Sequence, residues 1–287
     1  MTIGYELHEQ PDLDSPVLIM GLDGWIDAGY AAANAATTLL AELRSFPVAT
    51  FDSDELLDHR SRRPVMHLID GVNTGLSWPG IELRAAVDEA GNDLLLLVGA
   101  EPDHTWRSFS AAVVQLAIEF GTRMVVGLGA YPAAVPHTRA ALLSCTASTP
   151  ELSTAWPFLR GTLEVPAGVQ AAIERQCADA GLPAIGLWAQ VPHYASGMAY
   201  PSASLSLIET AAMVGGLVLP TGKLTDEAAA TRLRLDELIS GNPEHAALVE
   251  ALEEQVDEQA TAGPLPSGDE LAAEVENFLR EQGRESP

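Results

Sequence analysis

The sequence predicts an α/β protein: a mixed, mostly parallel sheet with helices on both faces, followed by a helical C-terminal region. Three observations lead there. Short apolar runs alternate with segments of helical periodicity. One pair of runs brackets the turn sequence "DEAGND", and a hairpin makes the sheet mixed. From about Leu224 the chain turns to acidic segments with narrow apolar stripes. The expected division is an α/β domain over residues 1–219 and a helical extension over 220–287.

Each element follows from its local pattern. Val17–Met20 is an apolar run and reads as a buried strand. The Gly/Asp loop "GLDGWIDAG" follows, then an alanine-rich helix from about Gly29 to Leu43. Val48–Asp52 is a second strand, and after it comes a basic knot with Arg60, Arg62 and Arg63. Ile81–Val87 and Asp93–Val98 form the hairpin. Trp106, Phe109, Val113, Leu116, Ala117 and Phe120 share one helical face, and Gly121 supplies the stop. Arg123–Leu128 and Leu142–Ser148 are further strands. Pro166 opens a helix with Val169, Ile173 and Cys177 on one side, ended by Gly181. Ala184–Val191 is a strand and Ser202–Met213 a helix. In the acidic region Leu248, Val249, Leu252 and Val256 make one stripe. Leu271, Val275, Phe278 and Leu279 make another, after the linker "TAGPLPSGDE". Short isolated helices are marginal in water, so these must dock on the sheet or on another subunit.

Composition narrows the function. The net charge is −25 and the single lysine is Lys223. Nucleic acid and anionic membranes need clustered cations, so neither is an expected partner. The apolar run "AAMVGGLVLP" is about half the length needed to cross a bilayer. The acidic start "MTIGYELHEQPDLDS" has no apolar core of a signal peptide. The two cysteines show no zinc spacing and no CxxC, as expected of reduced residues in a cytoplasmic protein.

In open α/β sheets, ligands favour the loops beyond the carboxyl ends of parallel strands. Four such loops carry polar residues: "GLDGWIDAG" with Asp23 and Asp27, "GAEPDHTW" with Glu101, Asp103 and His104, "GAYPAAVPHTRA" with His137 and Arg139, and "VPHYAS" with His193 and Tyr194. Together they form a candidate pocket in which a carboxylate–histidine pair can act as general acid and base and an arginine can hold an anion. Each loop also has a structural reading. Asp27 precedes a helix and suits its N-cap; Asp103 and Thr105 suit the cap of the Trp106 helix. The arginine knot reads either as an anion clamp or as an ion-pair network. Standard motifs are missing: no GxSxG, no GxGxxG after the first strand, no HExxH. "GLVLPTGKL" departs from a P-loop, with one residue too many between Gly216 and Gly222, and with Leu224 where a hydroxyl must hold Mg²⁺. No cofactor or metal is expected.

Taken in order, "GLDGWIDAG", "DHRSRRP", "VGAEPDHTWRSF", "GAYPAAVPHTR", "LWAQVPHY" and "PSASLSLI" resemble the proteasome assembly chaperone 2 family, in its actinobacterial branch. The closing "LPSGDELAAEVENFLREQGR" is similar to the C-terminal helix of that branch. The resemblance implies a phosphorylase/hydrolase-like α/β fold with an added helical region. In the family it points to, eukaryotic members help assemble the proteasome α-ring. Archaeal relatives are ATP-independent assembly chaperones, some with a hydrophobic–tyrosine–any tail that docks into the proteasome. This sequence ends "RESP", with Ser286 in the penultimate position, so tail docking is not expected.

Two functional readings result. The first is a non-catalytic protein-binding or assembly factor, acting on proteasome subunits or another protein. It would be a homo-oligomer, a trimer rather than a monomer by analogy with phosphorylase-like folds. The alternative is a hydrolase or phosphorylase of a nucleoside-like small molecule, working in the pocket at the strand ends.

Overall fold

The computed structural model describes residues 4–8 and 10–262. In chain order the elements are β1 (Tyr5–Leu7), β2 (Val17–Asp23), α1 (Ala31–Glu42), β3 (Ser45–Phe51), α2 (Ser53–Leu56), β4 (Val65–Ile69), β5 (Val72–Ser77), β6 (Ile81–Val87), β7 (Asp93–Ala100), α3 (Trp106–Glu119), β8 (Met124–Ala133), β9 (Leu143–Ala147), α4 (Pro150–Thr154), α5 (Val169–Ala180), β10 (Ala184–Pro192), α6 (Pro201–Gly215), α7 (Leu224–Ser240) and α8 (Pro243–Ala262). Eight strands make one sheet in the order β1-β3-β6-β7-β2-β8-β10-β9. Its centre is parallel: β2 pairs with β7 and β8, and β10 with β8. Both flanks are antiparallel, β1-β3-β6-β7 on one side and β9 on the other. The sheet is mixed with a parallel core, as the alternation of elements predicts.

Burial follows the strand period of two. Val17 and Ile19 on β2, Leu94 and Leu96 on β7, and Ile185 and Leu187 on β10 face one core with α1 and α6. Leu18 and Met20, Leu95 and Leu97 face the other, with α3 and α5. A strand covered on both faces is apolar throughout, which is why Val17–Met20 shows no alternation. The hairpin expected at Ile81–Val87 and Asp93–Val98 is β6–β7. Asp88 closes its turn, with Oδ1 accepting from the backbone of Ala90 at 2.9 Å and Asn92 at 2.8 Å.

Several boundaries move for local reasons. The helix expected from Gly29 starts at Ala31, after a 3-10 turn through Ala28–Tyr30 in which Gly29 has φ 66°. Asp52 is not the last residue of β3; its carboxylate accepts from Asp54 and Glu55 and caps α2. The helix expected from Pro166 begins at Val169, because Val169 N–H is held by Glu101 and Gly168 lies against the Trp25 carbonyl. At its other end Gly181 takes the left-handed conformation, as a helix stop requires. α7 packs on α6, and α8 on α7. Of the first acidic stripe, Val249, Leu252 and Val256 are buried while Leu248 is 40% exposed. The second stripe, Leu271 to Leu279, and residues 263–270 of the linker lie outside the described residues.

Three strands have no counterpart in the sequence expectations: β1, β4 and β5. The last two form a separate two-stranded sheet, an arm joined through the two-residue turn Asp70-Gly71. Both turn residues have positive φ, 49° and 81°, as the favoured two-residue hairpin turn demands. Every residue from Val65 to Trp78 is exposed.

Candidate functional site

The four polar loops share one edge of the sheet, because β7, β2, β8 and β10 are parallel and the loops all leave their carboxyl ends. Along that edge the polar residues sort into two groups with different partners.

The first group sits beyond β7 and β2. Asp27 Oδ1 accepts from Ala32 N–H at 2.7 Å and Oδ2 from Ala33 N–H at 2.9 Å. The carboxylate thus satisfies amides of the first turn of α1 although Tyr30, not Asp27, is the N-cap position. Burial raises the Asp27 pKa, and the Asp23 charge adds to that; the Ala33 and Ala32 hydrogen bonds oppose it. Glu101 is buried and also bonds to backbone: Oε2 accepts from Trp25 N–H at 2.9 Å, Oε1 from Val169 N–H at 2.7 Å. It ties the loop after β2 to the start of α5. Asp103 accepts from Asp58 N–H at 2.8 Å, so neither it nor Thr105 supplies a side-chain cap to α3. Arg62 from the arginine knot lies between Asp23 and Asp103, at 3.8 and 3.9 Å. His104 is exposed, and its backbone N–H bonds Leu56.

These groups leave little space. Asp27, Glu101, Gln170, Trp25 and Trp188 line a cavity of about 20 Å³, room for one water. Gln170 Nε2 is buried there without a partner among the described residues. Glycines close the walls: a Cβ on Gly24 would run into the Glu101 carboxylate, and one on Gly129 into the Trp188 ring. A larger concavity, about 370 Å³, lies at the opposite edge, between α4 and the turn before β10. Leu152, Ala155, Ala178, Leu182 and Pro183 give it an apolar lining.

The second group sits beyond β8 and β10 and bonds to side chains of the acidic helices. His137 is buried. Its backbone N–H donates to Tyr194 Oη at 2.9 Å, and its ring Nδ1 meets the same oxygen at 2.8 Å. Asp236 Oδ1 on α7 lies 3.0 Å from Nε2 and, as a carboxylate, can only accept, so Nε2 carries a proton; in the neutral ring Nδ1 then accepts from the Tyr194 hydroxyl. Thr138 donates to Glu253 on α8, and its carbonyl accepts from Arg232 at 2.8 Å. Arg139 makes a bidentate pair with Asp257 at 2.9 and 2.7 Å, and meets Glu253 at 3.2 Å. That pair holds the Asp257 carboxyl below its ordinary pKa and the guanidinium above its own. Three consecutive residues thus clasp two helices. His193 is exposed and touches the Tyr194 ring edge-on, with centroids 5.3 Å apart.

The structure therefore places Asp23, Asp27, Glu101 and Asp103 together, and His137, Arg139 and His193 together. Among the described residues no hydrogen bond or ion pair joins the two sets. Gln170, Asp236, Glu253 and Asp257 were outside the sequence expectations. They come from helices up to 118 residues from their partners, a separation that local patterns do not reach. Among the described residues, no group of three or more His, Cys, Asp or Glu is arranged to hold a metal ion, and no helix is long and apolar enough to cross a membrane.

The model of the PAC2 family matches residues 21–239. A Mycobacterium tuberculosis protein of unknown function is 38% identical, with TM-score 0.83, covering 90% of this chain and 90% of its own. A protein of unknown function from Corynebacterium glutamicum is 33% identical, with TM-score 0.85, over 90% of this chain and 98% of its own. A second M. tuberculosis structure, described as a proteasome-assembly chaperone homologue, is 30% identical, with TM-score 0.75, over 81% of this chain and 99% of its own. No curated protein matches the chain.

Proposed function

The chain belongs to the PAC2 family, and on that premise we propose that it is a non-catalytic, cytoplasmic protein-binding factor that self-associates and assists assembly of a protein complex. The α/β domain of residues 1–219 carries the binding surfaces and the region from 220 on is a docked extension. Proteasome subunits are the partner class, on the likeness to the M. tuberculosis assembly-chaperone homologue. One observation carries the reading. Asp27, Glu101, His137 and Arg139 at the sheet edge are engaged with amides, a tyrosine and the acidic helices, and the cavity beside Asp27 and Glu101 has room for one water, whereas the arm leaves a continuous run of apolar side chains exposed. Val65, Met66, Leu68, Ile69, Val72, Leu76 and Trp78 on the arm are each 43–64% exposed. An isolated two-stranded hairpin is marginally stable in water, and a contiguous patch of this kind marks an interaction surface. Free Cys145 and Cys177, the latter with its thiol pKa pushed up to about 12 by burial, suit a reducing compartment.

The test has two arms. Purified protein is mixed with proteasome α- and β-subunits and ring formation is followed by native electrophoresis. Faster ring formation with co-migration is expected; neither co-migration nor acceleration would overturn the assembly role. Thermal melting with phosphate, nucleosides or Mg²⁺ is expected to show no shift. A rise lost in Glu101→Gln would overturn the non-catalytic reading and favour a hydrolase or phosphorylase.

A further inference from the structure

The arginine knot between α2 and β4 has two sequence readings, an anion clamp and an ion-pair network, and the structure separates them. Arg62 is the member that lies near carboxylates, 3.8 Å from Asp23 and 3.9 Å from Asp103. Both distances exceed hydrogen-bond reach, and its Nε is buried without a partner among the described residues. Arg60 and Arg63 are exposed, and among the described residues no hydrogen bond or ion pair holds either guanidinium. An ion-pair network would not leave such groups free in a chain of 40 acidic and 15 basic residues.

The backbone of the knot is fixed from within. Arg60 N–H donates to Asp58 Oδ1 at 2.9 Å, and Ser61 and Arg62 N–H donate to the Asp58 carbonyl, each at 2.9 Å. Asp58 N–H in turn donates to Asp103 at 2.8 Å, while Asp103 and His104 N–H donate to the Leu56 carbonyl at 2.9 and 3.1 Å. The knot is thus bonded to the loop before α3. The first turn of α3 carries a further exposed arginine, Arg107, also without a side-chain partner among the described residues. Helical side chains lean toward the amino end, and for α3 that is the end facing this loop. The carboxylates nearby are already engaged: Asp54 bonds His59 at 3.0 Å, and Asp58 and Asp103 hold the amides just named.

Resting on the protein-binding reading above, we infer that Arg60, Arg63 and Arg107 form a docking surface for an acidic segment of the partner protein. A guanidinium fork meets a carboxylate in two parallel hydrogen bonds. Holding the turn in advance lowers the ordering cost of that contact. A dense polyanion fits this surface poorly. Asp23, Asp54, Asp58 and Asp103 stand among the arginines, and the total charge of −25 repels a nucleic acid as it approaches. Carboxylates spaced along a polypeptide can meet the arginines one by one and pass between those aspartates.

The probe is a fluorescein-labelled deca-glutamate peptide, followed by fluorescence anisotropy with the full chain in about 0.15 M salt, where charges more than about 8 Å away are screened. Wild type is expected to bind. Arg60→Ala/Arg63→Ala should weaken binding about tenfold and Arg107→Ala about threefold, as the loss of exposed ion pairs does. Arg44→Ala/Arg234→Ala removes two exposed arginines elsewhere on the surface and should leave binding unchanged. Melting curves confirm that each variant folds, and Arg107→Ala reads the surface even where the double variant does not fold. No binding by wild type, or an equal loss in the Arg44/Arg234 control, would overturn the surface. Tighter binding of a labelled oligothymidylate would overturn it too, as would a rise in melting temperature with inorganic phosphate that Arg60→Ala/Arg63→Ala abolishes, because the ligand would then be another anion. Peptide binding without any effect on ring formation would support the surface while the assembly role fails.

Discussion

The arm and the α7–α8 pair are both additions to one sheet, and they settle their exposed surface in opposite ways. The helices are acidic on the outside and apolar on one stripe. They bury Leu224, Leu235, Val249, Leu252 and Val256, and the loop His137–Arg139 holds them by hydrogen bonds and ion pairs. The arm has almost no charge, is apolar on both faces and is exposed from Val65 to Trp78. An amphipathic element can satisfy itself on its own protein, because one face is made for water and one for the core. An element apolar on both faces cannot, and its second face calls for another molecule.

This contrast is open to measurement, starting with the largest effect. Leu235→Ala should destabilise by about 2–4 kcal/mol, the cost of a large-to-small change in a core, measured by chemical denaturation. Ile69→Ala, with Ile69 64% exposed, should change monomer stability by less than about 0.5 kcal/mol and act on oligomer mass instead. If Ile69→Ala lowered monomer stability as much as Leu235→Ala, the arm would be part of the body. Next, His137→Ala leaves Asp236 and Tyr194 without their ring partner. It should cost about 1–3 kcal/mol and speed amide exchange in α7 more than in α1.

Asp27→Ala should cost about 1 kcal/mol, a fall in melting temperature of about 2–4 °C, with faster exchange confined to the start of α1. The pH dependence gives the smallest signals, of opposite sign. Asp257 has a lowered pKa in the folded protein, so its support for α8 is present above the ordinary value of 3.8 and is lost as pH falls through the lowered one. Asp27 has a raised pKa, so its contribution weakens as pH rises from 3.8 through the raised value. Asp257→Asn should remove the first dependence and Asp27→Asn the second, read from melting temperature against pH. If both variants kept the wild-type profile, other groups would govern the acid transition.

What the sequence makes legible depends on how local the cause is. The buried strands, the Trp106 helix and the β6–β7 hairpin are set by side chains a few residues apart, and their patterns mark them. The arm escapes because a strand exposed on both faces has no alternation to detect; the Asp70-Gly71 pair was its one available signal. The shared edge of the four polar loops also follows from the order of elements, since parallel strands put their following loops on one side. How the loops divide does not. Glu101 spends its oxygens on amides 76 and 68 residues away, and Arg139 meets a helix 118 residues on. Nothing near Glu101 or Arg139 announces those partners, so a carboxylate that staples loops and one that could act on a substrate look alike in the sequence.

The Glu101 staple also has a place in time. Trp25 emerges from the ribosome first, Glu101 follows, and Val169 comes last of the three. At about 5–20 residues per second, the carboxylate waits several seconds for its second amide. β2 is in the same position, since its parallel neighbours β7 and β8 begin at Asp93 and Met124. The strand at the centre of the sheet is among the first made and cannot be flanked until much of the domain has left the tunnel. During that interval a run such as Val17–Met20 is open to the cell, so this fold asks for protection during its own synthesis.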